Sequence, residues 1–192
     1  MNISLIKNPI FRFIAKFTIL SLFFYYGVYG YIGITSPGGA YSPFLDKYLN
    51  FIDWFRTFLL TGSHYITEIA GYHSHIRDKF SLQVIGGHTI QVVYSCLGTA
   101  LIGVWFAFVI AYPSILKKKL IWILTGFILI SLMNMIRLAG LAIVASKVNL
   151  NFIDHHTYFN IAVYICIIIM IYFYTREKKK TKQISSQHPQ HQ

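Results

Sequence analysis

The stretch Leu120–Ser146 reads LIWILTGFILISLMNMIRLAGLAIVAS, an apolar run broken by a single charge, Arg137. A bilayer core of roughly 30 Å takes about 20 apolar residues to cross, so this run is long enough to span a membrane. Three others accompany it. Phe17–Ile34 is uncharged, Val93–Tyr112 is apolar almost throughout, and Tyr158–Tyr174 is shorter but nearly all aliphatic and aromatic. The sequence therefore predicts spans at 17–34, 93–112, 120–146 and 158–174. Composition agrees: 192 residues, 55% hydrophobic and only 12% charged, with a mean hydropathy of +0.54. A soluble domain carries about 25% charge, so an ordinary soluble globule and a disordered chain are both excluded. Two cysteines, Cys96 and Cys166, are too few for a disulfide framework. Basic residues precede the first run, as in a signal peptide. Its apolar part is long and no small-residue cleavage site follows cleanly, so it reads as an uncleaved anchor.

The formal charge of +11 needs a location before it has a meaning. Lys7, Arg12 and Lys16 precede the first span. Lys117, Lys118 and Lys119 sit between the second and third. Arg176, Lys178, Lys179, Lys180 and Lys182 follow the fourth. Four spans with both termini in the cytoplasm put all three clusters on that side, as the positive-inside rule requires. The segment 35–92 then lies outside, and its four basic residues (Lys47, Arg56, Arg77, Lys79) balance four acidic ones (Asp46, Asp53, Glu68, Asp78). The basic excess is thus topological and does not point to nucleic acid. The polar tail 175–192 reads as a disordered, basic, cytoplasmic segment.

Within the outer segment, Phe51, Trp54, Phe55, Phe58, Leu59, Ile66 and Ile69 recur at helical spacing. This predicts one or two amphipathic helices, either lying on the outer leaflet or packed on the spans. Leu82 and Val84, then Ile90 and Val92, alternate with polar residues around Gly86-Gly87, which predicts a β-hairpin over Phe80–Val93. The expected fold is an all-α polytopic membrane protein, one membrane domain over 1–192. It has about four transmembrane helices, an outer amphipathic helix and a short β-hairpin.

Three places could carry chemistry. Arg137 is costly inside an apolar run, by about 2.5 kcal/mol or more at mid-membrane. It lies about 26 Å along the helix from Leu120, in the outer leaflet, where an arginine can also snorkel. Asn134 is three residues earlier on the same face, which suggests a polar cavity. Cys96 heads the second span in Tyr94-Ser95-Cys96-Leu97-Gly98, about 24 Å along that span from Tyr112. Cys96 and Arg137 thus arrive at one depth from opposite directions. A helix N-terminus and a nearby cation favour a nucleophilic thiolate; the plainer reading is a small buried hydrophobe. The pair His155-His156 stands just before the fourth span and supplies a candidate base. Four further outer histidines, His64, His73, His75 and His88, leave a metal-handling reading open, with no spacing that fixes a site.

The order Ser95-Cys96-Leu97-Gly98, Asn134-Met135-Ile136-Arg137 and Asp154-His155-His156-Thr157 resembles the signature of the exosortase/archaeosortase family. The likeness runs over roughly 91–174 and is closest to the short, stand-alone bacterial members. It departs where the family sets a small residue between Cys and Gly and this chain has Leu97, and where His156 is followed by Thr157. The resemblance implies a multi-spanning cysteine protease-transpeptidase of the bacterial inner membrane, with its active site on the extracytoplasmic side. It implies Cys96, Arg137 and His156 as catalytic residues, with His155 and Asn134 in support. Its partner would be an exported protein bearing a C-terminal sorting signal with a transmembrane helix, and no metal, nucleotide or other cofactor is required. The alternative of a different class is a non-enzymatic membrane protein for assembling or transporting envelope polysaccharide, which fits the spans and charges equally well.

Overall fold

The computed structural model describes residues 8–38, 40–147 and 155–186, with side chains at 8–38, 40–147 and 161–176. The chain divides into two compact units, Met1–Ile153 and Asp154–Gln192. The first contains α1 (Pro9–Thr35), α2 (Pro43–Leu49), α3 (Phe51–Ile69), β1 (Ser74–Asp78), β2 (Ser81–Val84), β3 (Thr89–Gln91), a 3-10 turn (Tyr94–Leu97), α4 (Thr99–Ala111) and α5 (Leu116–Lys147). The second contains α6 (His155–Ser186).

Local sequence sets the helix starts. Asn8 caps α1 by accepting the Ile10 N–H, with Pro9 at the first helical position, where a missing N–H costs nothing. Asn50 caps α3 by accepting the Asp53 N–H. Two helices, α1 and α5, are long and apolar enough to cross a membrane. The expected second span is corrected: its head, 94–97, is a 3-10 turn, and Gly98 at φ 72° separates it from α4, which has only 13 residues. α6 has 32 residues, and the part with described side chains, Ile161–Arg176, is an apolar helical stretch. Two further expectations change. Lys117–Lys119 belong to the first turn of α5 rather than to a connecting loop. The basic segment after Tyr174, expected to be disordered, continues α6 as far as Ser186.

Aromatic and small residues fit the helices of the first unit together. Phe13 meets Phe108 and Tyr112 edge-on, while Phe24 meets Phe106, so α1 and α4 run antiparallel. Trp105 of α4 is buried against α5 and donates its indole N–H to the Trp122 carbonyl at 2.9 Å. Gly126 makes room for it, since a Cβ there would lie 1.8 Å from Trp105 Nε1.

The helix expected at Phe51–Ile69 forms with those bounds and packs on α5. Phe55 contacts Phe127, and the Ser63 hydroxyl, which also bonds its own helix, lies 3.1 Å from the Met135 carbonyl. Both pairs are 72 positions apart (127 minus 55, 135 minus 63), so α3 and α5 run in the same direction. Both faces of α3 carry large apolar side chains, since Ile52, Leu59 and Leu60 are buried on its inward face. Arg56 is buried at 2% exposure, whereas Trp54, Phe58, Tyr65 and Ile69 are exposed.

The expected hairpin forms between β2 and β3, with Leu82 opposite Ile90 and Gln83 opposite Thr89. Gly86 takes φ 81° in the connecting loop, a conformation that suits a residue without Cβ. A third strand, β1, pairs antiparallel with β2 and makes the sheet order β1-β2-β3. The sheet sits on the end of α5. The His88 N–H donates to the Ala145 carbonyl, one of the last-turn acceptors a helix leaves open, and Gly87 approaches Ser146 so closely that a Cβ would lie 2.6 Å from its Cα. A core of Leu59, Leu60, Leu82, Val92, Leu97 and Leu138 joins α3, the sheet, the 3-10 turn and α5.

Gly126→Ala is expected to lower stability by about 1–3 kcal/mol through overpacking against Trp105. The added variant Trp105→Phe, which removes the crowded indole edge, should recover part of that loss. Thermal unfolding midpoints in detergent read both; an unchanged midpoint for Gly126→Ala would contradict the close α4–α5 contact.

Candidate active site

Cys96 lies in the 3-10 turn and is half-buried. Its N–H donates to the Val93 carbonyl at 2.9 Å, closing the turn. Leu97, the residue that departs from the family pattern, is 1% exposed and anchors the turn in the core. Gly98 then swings the chain into α4, whose first bond runs from the Ile102 N–H to the Gly98 carbonyl. With φ at 72°, any residue carrying a Cβ is strained here, and that Cβ would also lie 3.4 Å from the Asn134 amide nitrogen.

Asn134 is the partner that crosses from α5. Its Nδ2 donates to the Cys96 carbonyl at 2.8 Å, and the residue is 5% exposed. Two residues singled out from sequence, Cys96 and Asn134, are therefore brought together, through the backbone of the cysteine. The bond uses one of the two N–H groups of the Asn134 amide to fix the turn. Arg137 is half-buried, three residues further along α5. His155 and His156 begin α6; their side chains, like Asp154, lie outside the described residues.

The Cys96 turn is braced from a second direction by a residue that the sequence did not single out. Arg56 of α3 holds Asp53 at 2.7 Å, and its guanidinium carbon stands 4.5 Å from the ring centres of both Phe80 and Tyr94. Tyr94 opens the Cys96 turn, and its hydroxyl reaches Ser36 at 2.9 Å. A cation between two ring faces keeps electrostatic compensation after leaving water, and the adjacent carboxylate offsets part of the burial cost. The Arg56 Nε is buried without a hydrogen-bond partner among the described residues. The only signal for this in the sequence was the i, i+3 spacing of Asp53 and Arg56.

His64 and His73 serve other contacts. His64 Nδ1 is 2.8 Å from the Ser74 hydroxyl, which also meets Thr67 at 2.6 Å. His73 pairs with Glu68 at 3.1 Å. The Ser74 backbone N–H, and then His73, hold the Glu68 carboxylate below its ordinary range, so it is ionised at neutral pH and ties β1 to the end of α3. Among the described residues no three His, Cys, Asp or Glu side chains come together as a metal-ion cage.

Asn134→Ala removes the cross-helix donor from the Cys96 carbonyl, at a cost of about 1–3 kcal/mol if that group stays buried. Asn134→Asp, which at neutral pH accepts but does not donate, should behave similarly. Both should lower the unfolding midpoint and alter the rate of thiol labelling at Cys96. An Asn134→Asp protein with wild-type midpoint and labelling would mean that the bond does not hold the turn.

No curated protein and no solved structure matches this chain. A family model described as transmembrane exosortase matches residues 38–173, more than two thirds of its length. That span includes Cys96, Asn134, Arg137, His155 and His156. Together with its apolar helices, the match makes this a membrane protein, and the chain belongs to the transmembrane exosortase family.

Proposed function

We propose that this protein is a membrane cysteine peptidase or transpeptidase that cleaves a C-terminal sorting signal of exported proteins at the extracytoplasmic face. The observation that carries this reading is the family match over 38–173, in which the one half-buried cysteine outside a long helix, Cys96, shares a hydrogen bond with the helix that bears Arg137.

The chemistry follows from the residue types. Cys96 Sγ, as thiolate, attacks the carbonyl carbon of the scissile amide, and His156 takes the thiol proton. Negative charge builds on the carbonyl oxygen, and Arg137 stabilises it. Collapse breaks the C–N bond and leaves a thioester on Cys96, and the amine departs with the proton from His156. A second nucleophile then attacks the thioester and restores the thiol. Water makes the protein a peptidase; an amine makes it a transpeptidase. The substrate enters as an extended segment next to its own transmembrane helix, and the hairpin edge at Phe80–Val93 offers strand pairing for it.

The test co-expresses the protein with an exported reporter carrying a short motif, a transmembrane helix and a basic tail. Cys96→Ala and Arg137→Ala should abolish processing, and loss of the base at His156 should slow it by about 10²–10⁴. His155→Ala, compared with His156→Ala, assigns the base. In parallel, a membrane-impermeant thiol reagent should label Cys96 in intact cells, at a rate that changes in Arg137→Ala and His156→Ala. Processing that survives Cys96→Ala would falsify this mechanism and favour a role in envelope polysaccharide assembly.

A further inference from the structure

Four helices of the first unit enclose a partly open cavity of about 440 Å³. Phe24 and Val28 of α1, Phe55 of α3, Thr99 and Phe106 of α4, and Phe127 of α5 are among its walls. Thr99 supplies the single polar side chain in the lining. Along α4 the wall runs from Thr99 to Phe106, about 10 Å at the helical rise. Its upper end therefore starts three residues after Cys96, directly beyond Gly98.

The depth of the cavity follows from the two helices long enough to cross a membrane, since both α1 and α5 line it. Phe127 lies seven residues past Leu120, where the apolar run of α5 begins after Lys117–Lys119, about 10 Å along the helix, which is inside a hydrocarbon core of about 30 Å. Phe24 is central in α1. The cavity opens at a level where the surroundings are lipid chains.

Three kinds of occupant can be weighed on chemistry. Water needs two to four polar partners at such a site, and one threonine does not supply them. A polypeptide would bring backbone N–H and C=O groups into a wall that cannot pair them, at a cost of several kcal/mol per group. A hydrocarbon chain has no polar group to satisfy and gains contact with five phenylalanines in the lining. We infer that this cavity is a binding site for one acyl chain of a membrane phospholipid, seated between α1, α3, α4 and α5 beneath the Cys96 turn. The inference needs only that the protein resides in a membrane, and it does not depend on the proposed peptidase activity.

The test uses the full chain in nanodiscs of phosphatidylethanolamine doped with the same lipid carrying a diazirine in its palmitoyl chain. After irradiation, adducts are mapped by mass spectrometry. Adducts are expected at Phe106 and Phe127, and also at Leu124 of α5, whose side chain is 60% exposed and serves as the control. Val28→Trp, which fills the cavity, should reduce the Phe106 and Phe127 adducts about tenfold while leaving those at Leu124. Ile102→Trp serves the same purpose if Val28→Trp fails to fold. Cys96→Ala should leave every adduct unchanged, so this result stands apart from the outcome for peptidase activity. Absence of adducts at Phe106 and Phe127 in the wild type, or adducts there that neither filling variant reduces, overturns the inference. So does loss of those adducts on adding a sorting-signal peptide to Cys96→Ala protein, since that outcome would assign the cavity to a substrate side chain.

Discussion

The hydrogen bond from Asn134 to the Cys96 carbonyl is the interaction on which the candidate site depends. A cysteine in the middle of a regular helix would have its backbone satisfied locally and its side chain fixed by the helix face. Here the chain leaves helical geometry at Gly98, and the carbonyl before that break is met by a side chain from another helix. The turn is thereby tied to α5, the helix that also carries Arg137. Leu97 in the core and Tyr94 against Arg56 hold the same four-residue turn from two further sides. Three contacts of different physical character thus locate one short turn. This suits a nucleophile that has to be both exposed enough to react and fixed enough to aim.

Much of this architecture was legible in the sequence because membrane hydropathy and helical spacing are strong signals. The long apolar runs ending at Ile34 and Ser146 correspond to α1 and α5, and the stripe from Phe51 to Ile69 corresponds to α3. The Gly86-Gly87 hairpin followed from alternation on either side of it. Counting residues along the two apolar runs set Cys96 level with Arg137, and the contact found is one helical turn away, from Asn134 to the Cys96 carbonyl. Other features left no such trace. β1 reads Ser-His-Ile-Arg-Asp, with only Ser74 buried, so its pairing rests on backbone bonds to β2 rather than on an alternating apolar face. The length of α4 depended on the backbone angle of one glycine, which hydropathy does not encode. Arg56 sits in a pattern that suggests a water-facing charge, and only the tertiary arrangement of Phe80, Tyr94 and Asp53 makes its burial tolerable.

Glycine has a different use in each part of the fold. Gly126 and Gly62 sit where another side chain, Trp105 or Met135, occupies the space of a Cβ. They bring helices together in a medium where hydrophobic association contributes little and close packing contributes most. Gly98 instead supplies a backbone conformation. Replacing the first kind disturbs helix separation. Replacing the second redirects the chain between the Cys96 turn and α4.

The two apolar faces of α3 have a consequence for how this protein can be divided. Residues 35–92, with their balanced charge, invite treatment as a detachable soluble domain. Yet the face of α3 turned away from α5 carries Trp54, Phe58, Tyr65 and Ile69, while the face turned inward packs on α5 through Ser63 and Gly62. Cut free, that segment would present apolar surface on both sides of one helix and lose the partner that its inward face requires. In water such a fragment self-associates. This segment is therefore inseparable from the helices it packs on, and the smallest unit that stays in solution is those helices together, wrapped in detergent or lipid.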